Sequence, residues 1–374
     1  MRKHQLIATC ASGIEGIVGE ELTRLGYETN VENGRVRFEG TDYDIARTNY
    51  WLRTADRIKI NIAEFEAKSF ESLYDQIYPL DWEEYLPLNA EFPVRARSHE
   101  SALYSLSDLQ SISKKAVVDK LKDVYQKQGF LPETGAQFPL EVAIRKDKVL
   151  VTLDTTGPSL FKRGYRTEAG DAPIKENMAA ALILLTNWKP HMPLHDPVCG
   201  SGTIPLEAAL IGHNIAPGYN RKFLFETWPF FEQSTLELVK EEAEDVADYD
   251  IELDITGTDI DHRMIESSIT NARGAGLMQS VNFKQMQLSD FTTTKENGVM
   301  IANPPYGERL DDDERVHDLY RQMGEIFGPL ETWSKYILTS NLDFERYYGE
   351  RATKKRKLYN GRLRTDYFQF WATK

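Results

Sequence analysis

The stretch Val299-Met300-Ile301-Ala302 is apolar throughout and runs directly into Asn303-Pro304-Pro305-Tyr306. An apolar run this short, closed by turn-forming residues, reads as the end of a buried strand. Proline lacks an N–H and fixes φ, so neither a helix nor a ladder can continue, and the chain must leave the sheet with its carbonyl directions fixed. The Asn303 side chain and the Pro304 carbonyl can together accept both hydrogens of an exocyclic NH2, and Tyr306 offers a face for a planar ring. Asn-Pro is also a common way to begin a turn, with an aromatic plug as an ordinary companion. The chain upstream separates these readings.

Three earlier segments behave alike. Leu194-His195-Asp196, Leu253 to Asp259 and Val281 to Met286 with Asp290 beyond it each read as a strand followed by a carboxylate. One such aspartate is ordinarily a cap or a turn residue, and Asp261 fits a cap for a helix over Arg263 to Arg273. Three of them after successive strands, ahead of Asn303, fit a set of polar groups along one sheet edge, where ligands of open α/β sheets bind. Between the first and second lies Gly200-Ser201-Gly202-Thr203, which opens a helix over Ile204 to Ile211. Its glycines allow close backbone approach, and the helix N-terminus offers free N–H groups to an anion. Dinucleotide binding is the commonest rival for such a loop, but the spacing is not G-x-G-x-x-G.

The first 155 residues follow another rhythm. A strand at Lys3 to Thr9, a helix at Ile14 to Leu25 stopped by Gly26, and a hairpin around Asn33-Gly34 form one unit, followed by a helix at Tyr43 to Arg53 and a strand at Arg57 to Phe65. A strand at Phe92 to Arg97, a helix over Asp108 to Gln128 and a hairpin at Leu140 to Ile144 and Val149 to Leu153 form a second. The polar, turn-rich Thr155-Thr156-Gly157-Pro158 marks a boundary. Beyond it, Gly170 to Asn177 opens a helix over Met178 to Leu185, with Pro173 in its first turn.

The net charge of −13 argues against a nucleic-acid binder until its distribution is considered. Acid gathers in Glu237 to Asp254 and Glu308 to Glu314, whereas Arg351 to Arg364 carries Lys354, Lys355, Arg356, Lys357 and Arg362 without a carboxylate. A second basic knot is Lys162-Arg163-Gly164-Tyr165-Arg166; basic residues beside Tyr165 and Tyr359 favour nucleic acid over a merely solvated face. The two cysteines, Cys10 and Cys199, have no metal-type spacing, and Pro193 prevents His191 and His195 from forming a helical pair, so neither a metal site nor a disulfide framework is expected. Leu6 to Ala11 is too brief for the apolar region of a signal peptide, and no run reaches membrane-spanning length, which points to a reduced, cytoplasmic protein.

Asn303-Pro304-Pro305-Tyr306 resembles, without departure, the motif of S-adenosylmethionine-dependent methyltransferases that modify the exocyclic amine of adenine or guanine. Asp196-Pro197-Val198-Cys199-Gly200-Ser201-Gly202-Thr203 resembles the cofactor loop of the same enzymes. Phe92 to Ser98, with the helix Leu109 to Val124, resembles the THUMP domain of RNA-modifying enzymes, preceded by a small ferredoxin-like subdomain. The resemblance to bacterial 23S rRNA guanine-N2 methyltransferases implies an α/β fold, with a Rossmann-like class I methyltransferase domain of mostly parallel seven-stranded sheet and an antiparallel final hairpin. An α+β ferredoxin-like plus THUMP region stands before it, with divisions at 1–55, 56–156 and 157–374.

It further implies S-adenosylmethionine as cofactor, bound by Asp196, Val198, Gly200, Gly202, Thr203, Asp259 and Asp290. Asp196 would take the methionine ammonium, Asp259 the ribose hydroxyls and Asp290 the adenine amine. Asn303, Pro304, Pro305 and Tyr306 would act on a flipped base. RNA is the implied partner, ribosomal first, with Arg95, Arg97, His99, Lys114 and Lys115 as candidate backbone contacts and no membrane or metal. Transfer RNA guanine-N2 methylation, DNA adenine-N6 methylation and a non-catalytic RNA-binding assembly role remain alternatives. The long stretch from Ile215 to Phe231 fits either a substrate-cleft insert or aromatic packing.

Overall fold

The computed structural model describes residues 2–167, 173–306, 313–361 and 363–374. The expectations placed on Gly170 to Ala172, on the acidic run 308–312 and on Arg362 lie outside the described residues.

The first half of the chain runs β1 (Lys3–Thr9), α1 (Glu15–Arg24), β2 (Asn30–Glu32), β3 (Arg35–Thr41), α2 (Asp42–Trp51), β4 (Arg57–Glu66), α3 (Phe70–Ile77), β5 (Val94–His99), α4 (Leu106–Tyr125), β6 (Leu140–Arg145) and β7 (Lys148–Asp154). Its two strand-helix-strand-strand units share a single seven-stranded sheet of order β2-β3-β1-β4-β7-β6-β5. All neighbours pair antiparallel except β5 with β6. β4 is the seam, pairing with β1 on one side and β7 on the other.

The second half continues with α5 (Glu176–Leu184), β8 (Leu194–Asp196), α6 (Thr203–Gly212), α7 (Gln233–Asp245), β9 (Ile255–Asp259), α8 (His262–Ala275), β10 (Asn282–Gln285), β11 (Val299–Ala302), α9 (Asp313–Phe327), β12 (Ser334–Thr339), α10 (Phe344–Tyr348), β13 (Lys354–Asn360) and β14 (Leu363–Phe370). The order is β10-β9-β8-β11-β12-β14-β13, parallel from β10 to β12 and antiparallel in the closing hairpin. This is the Rossmann-like arrangement with its direction of winding reversed between β8 and β11. β8 and β11 are buried at every residue, as strands covered on both faces must be.

One apolar core runs through both halves, from Leu6, Leu73 and Phe92 to Leu182, Leu194 and Ile255. The stretch from Ile215 to Phe231 is part of what joins them. Trp228 stacks on Phe138 with ring centroids 5.0 Å apart and donates its indole N–H to the Gln137 carbonyl at 2.9 Å. Leu224 and Phe225 donate backbone N–H groups to Thr156 and Thr155. Its aromatics Phe223, Phe225, Trp228 and Phe231 are buried, so they pack between the halves.

The basic knot at 162–166 corrects the sequence reading. Arg163 is 1% exposed and forms a salt bridge with the fully buried Glu207 at 3.0 Å, and Tyr165 donates its hydroxyl to the same carboxylate at 2.9 Å. A guanidinium buried and paired in this way cannot reach a phosphate; these residues tie the segment after Gly157 to α6.

Candidate active site

The reversal falls between β8 and β11, and the carboxyl ends of strands at such a reversal are the place where open α/β sheets hold ligands. β8 ends on Asp196, β9 ends on Asp259, and β11 hands the chain to Asn303. The sequence thus delivers three of its four polar groups to one rim.

Asp196 is 2% exposed and accepts a hydrogen bond from Val198 N–H at 3.1 Å. Burial holds its carboxyl well above the usual carboxylate range; the Val198 bond opposes this and the nearby Asp259 charge adds to it. An acceptor of this kind is suited to a cationic partner brought in by a ligand, whose charge would draw the proton off. Asp259, half-buried, accepts from Gly200 N–H at 3.0 Å and from Asp261 N–H at 2.9 Å, so it ties the glycine loop to the end of β9. Asp261 caps α8 by accepting from Arg263 N–H, as expected. Asp290 lies in a short 3-10 turn after β10 and is exposed.

The two loop glycines differ. Both have left-handed φ, +52° at Gly200 and +83° at Gly202. A Cβ on Gly200 would meet nothing within 4 Å, so that backbone faces open space where a ligand can approach. At Gly202 it would stand 2.7 Å from Phe283 Cζ and 2.8 Å from Ser268 Cβ. Gly202 therefore allows the start of α6 to pack closely on β10 and α8. Thr203 opens α6 and accepts from Arg166 Nη2 at 2.6 Å, while Arg166 Nε pairs with Glu176 at 2.9 Å. This Glu176–Arg166–Thr203 array beside the loop has no sequence signal of its own beyond the basic knot, whose charges suggest a surface.

Val198 is half-buried and packs on the apolar cluster of α9 and β12. Cys199 is buried, and burial pushes its thiol far up, which removes it as a thiolate nucleophile. His195 is buried against Phe291 with its pKa lowered by burial to about 4, so it is neutral, and no metal-holding cluster exists among the described residues.

Asn303 is half-buried and not turned into the core, and its Oδ1 accepts from the Tyr306 hydroxyl at 2.6 Å. Pro304 is buried and Pro305 exposed. The Pro305 carbonyl accepts from Tyr320 of α9 at 3.1 Å, and Tyr320 also meets Thr339 at the end of β12 at 2.9 Å. The turn after β11 is therefore braced from beneath.

The candidate RNA contacts divide. Arg95, Arg97 and His99 stand exposed along β5, the outermost strand of the first sheet, though Arg97 is 3.3 Å from Glu141. Lys114 instead turns inward, donating to the Phe92 carbonyl at 2.9 Å and pairing with Glu133 at 2.7 Å. Lys115 is paired with Asp119.

Comparison with known proteins matches residues 163–369 to the RMKL-like methyltransferase domain, residues 5–59 to the RlmL ferredoxin-like domain and residues 67–154 to the THUMP domain. The chain is 51% identical to YpsC of Bacillus subtilis, named by inference as an RNA methyltransferase, over 100% of this chain and 97% of that protein. It is 32% identical to the ribosomal RNA large subunit methyltransferase K/L of Marinobacter nauticus, covering 97% of this chain and 52% of that protein, so it spans about half the length of that relative. The solved structure of SMU.472, assigned as a methyltransferase and complexed with SAH, superposes with a TM-score of 0.96 at 54% identity, covering 100% of this chain and 99% of that one. The chain belongs to the RMKL-like methyltransferase family, with an RlmL-type ferredoxin-like domain and a THUMP domain ahead of the catalytic one.

Proposed function

We propose that the chain transfers a methyl group from S-adenosylmethionine to the exocyclic N2 of a guanine in large-subunit (23S) ribosomal RNA. The observation that carries this reading is the placement of Asn303 on the same rim as Asp196, Gly200 and Asp259. The large-subunit K/L name of the longer relative supports the RNA, and the SAH of the SMU.472 complex supports the cofactor. When bound, S-adenosylmethionine supplies an electrophilic methyl carbon on a sulfonium. Asp196 would hold its ammonium, Asp259 its ribose hydroxyls and Asp290 its adenine amine, with Gly200 leaving room for it.

Asn303 Oδ1 and the Pro304 carbonyl accept hydrogen bonds from the two N–H groups of the base amine, which frees its lone pair from the ring for attack. The carbon–sulfur bond breaks as the new carbon–nitrogen bond forms. The proton then on nitrogen is acidic and leaves without a dedicated base. Tyr306 gives up its bond to Asn303 and stacks on the flipped base. Residues 56–156 hold the RNA and residues 157–374 carry the chemistry.

The test is transfer of labelled methyl to separated ribosomal RNA, transfer RNA and DNA, followed by nucleoside mass analysis. N2-methylguanosine in large-subunit RNA is expected. N6-methyladenosine in DNA, the product of another enzyme class with the same motif, would replace this reading.

A further inference from the structure

The rim that carries Asn303 continues sideways over β12, β14 and β13. Ala302 is level with Ile337 of β12, Thr339 is level with Asp366 of β14, and the β13–β14 turn therefore rises past the end of β12 on the Asn303 side of the sheet. With strands about 4.8 Å apart, β13 lies roughly 14 Å from β11. Here cations are set beside aromatic rings, with the carboxylates Asp318, Asp343 and Asp366 among them.

His317 of α9 stacks on Tyr347 of α10 at 3.7 Å with ring planes 10° apart, and its Nε2 meets Asn341, two residues beyond β12, at 3.4 Å. Arg321 and Arg346 lie over the Tyr347 ring at 5.4 and 5.9 Å. Farther along, Lys357 lies over Tyr359 at 5.3 Å, and Arg364 stands opposite Tyr359. Lys357, Tyr359, Arg364 and Phe368 share one face of the hairpin, and Phe368 packs against Phe344 of α10. The hairpin cations and the α9–α10 cluster are therefore on the same side of the sheet. Arg321 is paired with Asp318, and Arg364 is 3.5 Å from Asp366. Arg346 and Lys357 are exposed and have no carboxylate partner among the described residues.

Edge strands often carry lysine merely to deter pairing with another sheet. That accounts for Lys354 and Lys355, but not for the stacked His317–Tyr347 pair or for Arg346, which are off the edge. Exposed guanidinium and ammonium groups set among aromatic rings, in a chain of net charge −13, are complementary to a single-stranded polyanion with π-faces.

We propose that His317, Arg321, Tyr347, Arg346, Lys357 and Arg364 form a docking strip for the RNA backbone next to the target base, holding the flanking nucleotides while the base enters the Asn303 crevice. This rests on the RNA reading above. The strip fixes the direction from which the strand enters, along the β12 to β13 side of the rim.

The test uses the full chain, labelled S-adenosylmethionine and the RNA methylated by the unaltered enzyme. R346A/K357A and the charge reversal K357E are compared with K354A, which removes an equally exposed lysine of β13 at the end remote from the rim. The expected result is a rise of about tenfold in KM for RNA in the rim variants, unchanged KM for S-adenosylmethionine, and no effect of K354A. The slope of log affinity against log salt should become shallower by about 0.7 for each phosphate no longer neutralised. Unchanged KM and slope in the rim variants, or an equal effect of K354A, overturns the strip while leaving the functional reading intact. An unaltered enzyme that methylates DNA and no RNA overturns both.

Discussion

Asp196→Asn separates the cofactor's demand on the site from the fold's. The substitution keeps size and shape, and the amide oxygen can still accept from Val198 N–H, so the loop is preserved. What disappears is a charge-assisted bond to the ligand ammonium inside a site where Asp196 is 2% exposed. Such bonds contribute about 1.5–3 kcal/mol, so the Kd for S-adenosylmethionine should rise about 10- to 150-fold. The pH dependence gives a second readout. Burial raises the folded-state pKa of Asp196 above its unfolded value. The stability this proton confers is present in full below the unfolded pKa and is lost as pH rises through the raised, folded one.

The ligand-free Asp196→Asn variant cannot ionise at this position and escapes that loss, so it should melt at a higher temperature than the unaltered protein at pH values above the folded pKa, while binding worse. Cofactor affinity of the unaltered protein should rise with pH by up to tenfold per unit until the carboxyl is ionised, and that of the variant should stay flat. Titration calorimetry in two buffers of different ionisation heat counts the proton released, and thermal melts without ligand give the stability. A variant that binds as tightly as the unaltered protein with the same pH profile, or that melts lower, refutes the reasoning.

Asn303→Ala should leave the Kd for S-adenosylmethionine unchanged and lower kcat by about 10²–10³-fold, the usual effect of removing one preorganised group that acts on developing charge; single-turnover methyl transfer measures it. Gly202→Ala should destabilise by about 2–4 kcal/mol, because its Cβ would stand 2.7 Å from Phe283 and its φ is left-handed. Gly200→Ala, whose Cβ meets nothing within 4 Å, should cost about 1 kcal/mol in a denaturant titration and show its main effect on cofactor Kd. Glu207→Ala strands the buried Arg163 guanidinium and the Tyr165 hydroxyl and should cost about 3–5 kcal/mol, read as a shift of the denaturation midpoint.

Much of the site is legible in the sequence because the strands that end at this rim are short and are closed by, or run into, a polar residue. That pattern marks Asp196, Asp259 and Asn303. Period-2 and period-3.6 patterning likewise reveals α1, α4 and the hairpin of β6 and β7, and the Asp261 cap marks the start of α8. α7 escapes such patterning because its buried residues Leu236, Val239 and Ala243 are spread through a run so acidic that it reads as solvated surface. α3 and α10 are short, and burial of Leu73, Ile77, Phe344 and Tyr348 contributes what their length does not. The basic knot misleads because sequence shows charge but not its partner: Glu207, 44 residues from Arg163, decides that the guanidinium is internal. The two glycines of the loop look equivalent in sequence and are distinguished by Phe283 and Ser268, side chains far along the chain. The shared sheet of the first half is invisible because two similar units give no hint of whether they pair.

That pairing makes β4 common property. A chimera that exchanges the leading 55 residues, or one that exchanges the region after them, must choose which neighbour of β4 to sever, β1 or β7. Where the incoming strand does not match its new neighbour, two strand rims are left unpaired and the chimera should aggregate, an outcome avoided by transplanting residues 1–154 as one block. Recombination that respects the sheet is thereby channelled to a joint after β7, so that the leading seven strands travel together.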